Sequence, residues 1–182
     1  MLNFFLARYP ILNNIKGLPE IVKSALEMLL EAWEKLDFQK HEMYKKLRKI
    51  AKKDKTAERL MTVPGVGPAT ALCFSSTISK TNRFKDKKHV ASYIGLAPRV
   101  YQSGDTNYNG SITKQGDNLL RSLLVEAAHS ILCTTKKDFK LKKWGLALEE
   151  KKGLGKAKVA VARKLSELLF TLWETGKEFE LA

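Results

Sequence analysis

The sequence predicts a mainly α fold: a long coiled-coil-like helix or helical arm, followed by a compact helical domain containing a helix-hairpin-helix motif. Three observations carry this. Over residues 22–50 apolar side chains alternate spacings of four and three. From Ala57 onward the apolar segments are short and divided by glycine and proline. Two later stripes, within residues 119–132 and 161–173, repeat at helical spacing and read as core.

The chain has 182 residues, enough for one ordinary domain with an appendage and for a real core. Lys and Arg number 33 against 19 acidic residues, a formal charge of +14. Such a balance suits a polyanionic partner, nucleic acid first and an anionic membrane surface second. No run approaches the ~20 apolar residues of a membrane span. The opening MLNFFLARYP lacks the basic region and cleavage site of a signal peptide, so the expected location is cytoplasmic. Cys73 and Cys133 lie inside apolar patterns, which fits a reducing compartment.

The expected organisation is an N-terminal segment (1–17), a coiled-coil or dimerisation helix (18–55) and a helical domain (56–182). Leu18-Pro19-Glu20 reads as a helix start, since Pro is tolerated in the first turn and an acid suits the helix N-terminus. The helix runs to about Lys52, with a seam of Val22, Leu26, Leu29, Trp33, Leu36, Met43, Leu47 and Ile50, interrupted at Lys40. A single amphipathic helix packed on its own domain is the alternative to a dimerising arm. The run from Lys45 to Lys55 is strongly basic and leads towards a candidate phosphate site. Further helices are expected near 56–62, 69–79, 86–94, 117–134 and 156–175, with Asp86 and Asp117 as N-caps and Gly95 as a stop. Residues 90–97 could end in a short strand or extended turn, and Gly153 and Gly155 mark a loop.

Within residues 60–72, Pro64-Gly65-Val66-Gly67 has the form of a helix-hairpin-helix turn, whose following helix N-terminus can offer amides to a phosphate. A glycine turn between two packed helices is the plainer alternative. A second basic cluster, residues 136–144 with Lys151, Lys152, Lys156 and Lys158 beyond, interleaves Lys with Phe139 and Trp144. Lysines there could hold phosphates and an aromatic ring could stack on a base, although Phe139, Leu141 and Trp144 fit a core equally well. Lys156 and Arg163 share a helical face. His129 and Cys133, four apart, form half a metal site that no second Cys or His cluster completes, so no metal is expected here. In QSGDTNYNGSITKQGDNLLR, Ser103-Gly104-Asp105 is ordinary turn chemistry, but Arg99, Lys114 and Arg121 surround it with donors able to hold a phosphate beside a hydroxyl.

VPGVGPATA, RFKDKKHVASYIGLAPRVYQSGD, SITKQGDNLLRSLLVEAAH and GKAKVAVARKL, taken in order, resemble the C-terminal transposase domain of the insertion-sequence 110/116/902 family over about residues 57–175. The preceding heptad helix is similar to the coiled coil that these transposases place before that domain. The resemblance implies a DNA recombinase guided by a structured RNA and working as a dimer or tetramer on element ends and target DNA. A serine hydroxyl attacks the phosphodiester and leaves a phosphoserine link. The match points to Ser103, with Ser111 and Thr113 as lesser candidates. It also implies magnesium held by acidic residues of an N-terminal resolvase-like nuclease domain, which no segment here resembles, so no cofactor is expected on this chain. Gly65, Val66, Gly67, Arg99, Lys114, Arg121, Lys156, Lys158 and Arg163 are the candidate nucleic-acid contacts. The alternatives are a non-catalytic DNA- or RNA-binding module that dimerises through residues 18–52, and a helix-hairpin-helix protein of the DNA-repair type.

Overall fold

The computed structural model describes residues 17, 19–103 and 106–181, with the side chains of 101–103 and 106–109 excepted. The expected segment 1–17 therefore lies outside the described residues but for Gly17. The chain divides into two units, Met1–Lys46 and Leu47–Ala182.

The first unit carries most of helix α1, Glu20–Ala51. The Pro19 carbonyl accepts the N–H groups of Val22 and Lys23, at 3.0 and 3.2 Å, so the helix begins where the Pro-Glu pair places it. Glu20 sits in the first turn and Arg48 and Lys49 in the last, each matched to the helix dipole. Along the seam Leu29, Leu36 and Met43 are exposed, Leu36 by 63%. Lys40, which breaks the seam, donates to Asp37 Oδ1 at 2.7 Å.

The second unit is built around a central helix. Its elements are α2 (Lys55–Leu60), α3 (Pro68–Ile78), a 3-10 turn (Thr81–Arg83), α4 (Lys87–Tyr93), β1 (Pro98–Ser103), β2 (Thr106–Ile112), α5 (Asn118–His129), α6 (Lys140–Lys152) and α7 (Leu154–Thr175). A π turn, Ser130–Thr134, continues α5. Helix α7 packs against α2, α4, α5 and α6, with Val161, Leu165, Leu169 and Phe170 fully buried. Of the stripe expected in residues 161–173, Val161, Leu165 and Leu172 are buried and Leu168 and Trp173 half-buried, and Leu120, Leu124, Ala128 and Ile131 of the other stripe are fully buried.

Three aspartates start three helices. Asp54 Oδ1 accepts from the N–H of Thr56 and Ala57, Asp86 Oδ1 from Lys88 and His89, and Asp117 Oδ1 from Leu120 at 2.7 Å. The hydrogen bonds from the His89 backbone and then its side chain hold the Asp86 carboxyl below its ordinary range. Gly95 ends α4 with φ +82°, while the Leu96 N–H reaches Ala91 O and the Gly95 N–H reaches Ser92 O, a Schellman closure.

Three features differ from expectation. Residues 140–152 form a full helix, where the lysines read only as a basic cluster. Gly145 is buried there, and a Cβ on it would come within 2.6 Å of Val161 Cγ2 and 2.7 Å of Leu132 Cδ2, so its missing side chain lets α6 approach α7 and the π turn. The loop marked by two glycines is a one-residue joint: Gly153 (φ +79°) both ends α6 and precedes α7, and Gly155 is helical. The polar stretch before α5 is an antiparallel hairpin, and the extended segment begins at Pro98, after α4 has run to Tyr93.

Candidate nucleic-acid interface

The hairpin is organised from its base. Two glycines cross there back to back: a Cβ on Gly95 would lie 1.9 Å from Gln115 O, and one on Gly116 (φ +88°) 2.0 Å from Tyr93 O. Only a residue without a side chain fits either position, for reasons of both space and φ. The Lys114 N–H donates to Gly95 O at 3.1 Å and the Thr113 N–H to Ala97 O at 2.9 Å. Arg121, on the first turn of α5, fastens the crossing: Nη1 donates to Ile94 O at 3.0 Å and to Gln115 O at 3.3 Å, and Nη2 to Asn118 Oδ1 at 2.9 Å. Its guanidinium is thus engaged with the chain's own carbonyls.

Above the crossing, Pro98 pairs with Ile112 and Val100 with Asn109, so Arg99 faces Gly110 and Ser111 across a β-bulge. Arg99 is exposed and reaches Thr113 O at 3.4 Å. Lys114 is exposed as well and has a left-handed backbone, φ +58°, which is uncommon outside glycine. Ser103 is the last residue of β1 and pairs with Thr106, so it stands at the hairpin tip, away from the base where Lys114 and Arg121 lie. Ser111 is exposed, while the Thr113 hydroxyl is buried without a hydrogen-bond partner among the described residues.

The glycine turn between α2 and α3 is set by packing on one side. Val63 and Val66 are buried, and Gly65 has φ +89° with its Cα turned to the end of α5 and the π turn, where a Cβ would meet Ile131 Cγ1 at 2.7 Å and Ala127 O at 3.1 Å. Gly67 precedes α3 with no side-chain cap and Pro68 opens the helix, leaving the first-turn amides without a side-chain acceptor. Thr62 at the turn's start donates its hydroxyl to Arg59 O at 2.7 Å and accepts the Phe179 N–H at 3.0 Å, which ties the C-terminal tail to the turn.

On α7, Lys156 is exposed, and Lys158 and Arg163 are half-buried; Arg163 Nε lies 3.6 Å from Glu167 Oε1. The second basic cluster separates into two roles. Phe139 is core, 2% exposed and edge-on to Phe179, whereas Trp144 is 38% exposed with Lys164 Nζ 4.7 Å from its ring centroid. His129 Nδ1 and Cys133 Sγ contact each other at 3.4 Å. Among the described residues no group of three or more His, Cys, Asp or Glu is placed to hold a metal ion. Burial raises the Cys73 thiol above its ordinary value. Sequence reasoning missed Gly116 and the binding of Arg121 to the crossing. The available signal was the pairing of two turn glycines, in YIGLAP and KQGDN, on either side of a polar stretch.

Residues 57–142 match the family model described as Transposase IS116/IS110/IS902 family. This segment belongs to that family. The transposase segment runs from within α2 to the first turn of α6, and so contains the glycine turn, the crossing, the hairpin and Arg121. The chain is 33% identical over 127 residues to the transposase for insertion sequence element IS1111A of Coxiella burnetii, covering 69% of this chain and 35% of that protein. It is 29% identical over 168 residues to a putative transposase of Sinorhizobium fredii, covering 91% and 43%. A pilin gene-inverting protein of Moraxella bovis is 29% identical over 145 residues, covering 77% and 44%. The chain thus spans between about a third and a half of the length of these relatives. No helix among the described residues is long and apolar enough to cross a membrane.

Proposed function

We propose that this chain is the strand-exchange portion of an insertion-sequence transposase, in which Ser103 is the nucleophile. The observation that carries the reading is the hairpin: inside the family-matched segment, it presents Ser103 at its tip and is fastened to the helical core at its base by the Gly95–Gly116 crossing and Arg121. The serine oxygen forms a bond to the phosphorus of a DNA phosphodiester while the bond to one strand end breaks. That end leaves as a hydroxyl, and a hydroxyl of a second strand later displaces the serine. Phosphoryl transfer of this kind needs chiefly positioning and cations around the phosphate. Arg99 and Lys114, exposed towards the hairpin base, hold the DNA backbone beyond the phosphate that Ser103 attacks.

On this reading the first-turn amides of α3 at Gly67, with Lys156, Lys158 and Arg163 on α7, hold DNA by its backbone without reading sequence. Residues 18–52 pair two copies through the heptad seam, and a structured guide RNA selects the target. Any magnesium is held by carboxylates outside the described residues, and the complex works on the bacterial nucleoid in the cytoplasm. The test combines the chain with element-end DNA, guide RNA, magnesium and the N-terminal portion of such a transposase. A denaturation-resistant protein–DNA adduct is expected from the wild type and none from Ser103→Ala; equal adduct from both would sink the assignment.

A second reading, a non-catalytic binding module that dimerises and grips nucleic acid, draws on the +14 charge and the exposed apolar seam of α1. It expects salt-sensitive DNA binding with no adduct under any of those conditions.

A further inference from the structure

We propose that the cleft formed by the start of α6, the middle of α7 and the C-terminal tail is a docking site for single-stranded DNA, with one unstacked base on Trp144. The inference rests on the transposase reading, since a transposase opens DNA ends. The cleft has a volume of about 520 Å³, within the range that accepts a small molecule or a nucleotide. Lys87, Lys140 and Lys164 line it, all exposed. Of the two carboxylates in its lining, Glu167 is already opposed by Arg163 Nε at 3.6 Å, which leaves Glu180 against three ammonium groups. The cleft therefore carries a positive excess over an apolar floor made by Leu141, Leu168 and the edge-to-face pair Phe139 and Phe179.

Trp144 is the feature that a duplex does not explain. Paired bases remain stacked on one another and show a protein surface chiefly phosphates, for which lysines on an open face suffice. A half-exposed indole inside a cationic cleft matches the platform that takes an unstacked base. Lys164 now rests 4.7 Å from the ring centroid, a cation–π contact that is weak when exposed. A base on the indole replaces that contact with a stronger one and frees the ammonium for the adjoining phosphate. The Thr171 hydroxyl, which also lines the cleft, donates its one proton to Glu167 O at 2.9 Å, so it has no proton to offer a ribose oxygen. The tail forms one wall and is held by the Phe179 N–H on Thr62.

The test uses the full chain with three fluorescent probes: a 12-mer of oligo-dT, the matching oligo-U and a mixed-sequence duplex. Trp144→Ala is expected to weaken oligo-dT binding about ten-fold, with Trp144→Phe restoring most of it and duplex affinity unchanged within about two-fold. Lys140→Gln, an exposed change with no packing role, should lower the salt slope for oligo-dT by about 0.7. Unchanged oligo-dT affinity in Trp144→Ala with the duplex still bound would overturn the cleft alone. Equal loss on both probes, or tighter binding of oligo-U than oligo-dT, would overturn it too. A wild-type chain that binds none of the probes would instead remove the DNA-binding reading beneath it.

Discussion

Arg121 shows how one side chain can be claimed by the fold and the ligand at once. By charge and position it reads as a phosphate donor beside Ser103. In the structure its guanidinium holds two backbone carbonyls, of Ile94 and Gln115, that belong to the two strands of the glycine crossing. Hydrogen bonds from a charged donor contribute about 1.5–3 kcal/mol, and deleting the donor leaves those carbonyls wanting. Arg121→Met, which keeps the aliphatic length, should therefore lower unfolding free energy by about 1.5–3 kcal/mol, measured as a fall in the urea midpoint at constant slope. Arg121→Lys should recover little, since an ammonium cannot fork to two separated acceptors. A change in DNA affinity without loss of stability would return Arg121 to the phosphate. Gly65 and Val66 repeat the pattern: their glycine-turn motif is legible in sequence, but it is tertiary packing that turns Gly65 towards Ala127 and Ile131.

Helix α6 depends on a residue that ordinarily weakens helices. Replacing an interior glycine by alanine favours a helix by about 0.8–1 kcal/mol, yet at Gly145 the new Cβ would press on Val161 Cγ2 at 2.6 Å. Valine is stiff at χ1 and cannot swing aside as the Leu132 tip can. Overpacking of this kind costs about 1–3 kcal/mol, so Gly145→Ala should be net destabilising by about 1 kcal/mol, read from thermal or urea unfolding. The same helix shows where sequence legibility ran out. Asp86, Asp117 and Gly95 act locally, through side-chain caps and a positive φ, and their positions were readable. KLKKWGLALEEKK carries too many lysines and too narrow an apolar face to announce a packed helix, because its partner α7 supplies the hydrophobic surface. The hairpin was hidden for a related reason. Its strands are rich in Asn, Ser and Gln, and what defines them is the crossing at their base, formed by residues 21 positions apart in sequence.

For the molecule as a whole, the α1 seam and the positive charge invite separate measurements. Leu29 and Leu36 lie seven apart, both exposed, and burying one leucine side chain is favourable by about 1.5–3 kcal/mol. If the seam pairs two copies, Leu29→Lys with Leu36→Lys should convert a dimer into a monomer in sedimentation equilibrium while leaving the helical circular dichroism nearly unchanged. A wild-type monomer at high concentration would refute pairing. The fold class and the long helix were legible because periodicity over 30 residues is a strong signal; the position of Ser103 at a strand end was not, since it depends on pairing with Thr106. The crossing of Gly95 and Gly116 has one more consequence. Both strands of the hairpin meet the core at a point closed by backbone hydrogen bonds and Arg121, so residues 99–103 and 106–111 lie beyond a clasp that their own side chains do not build. Mutation can rewrite those residues, and with them the chemistry they present, without repacking the helices that support them.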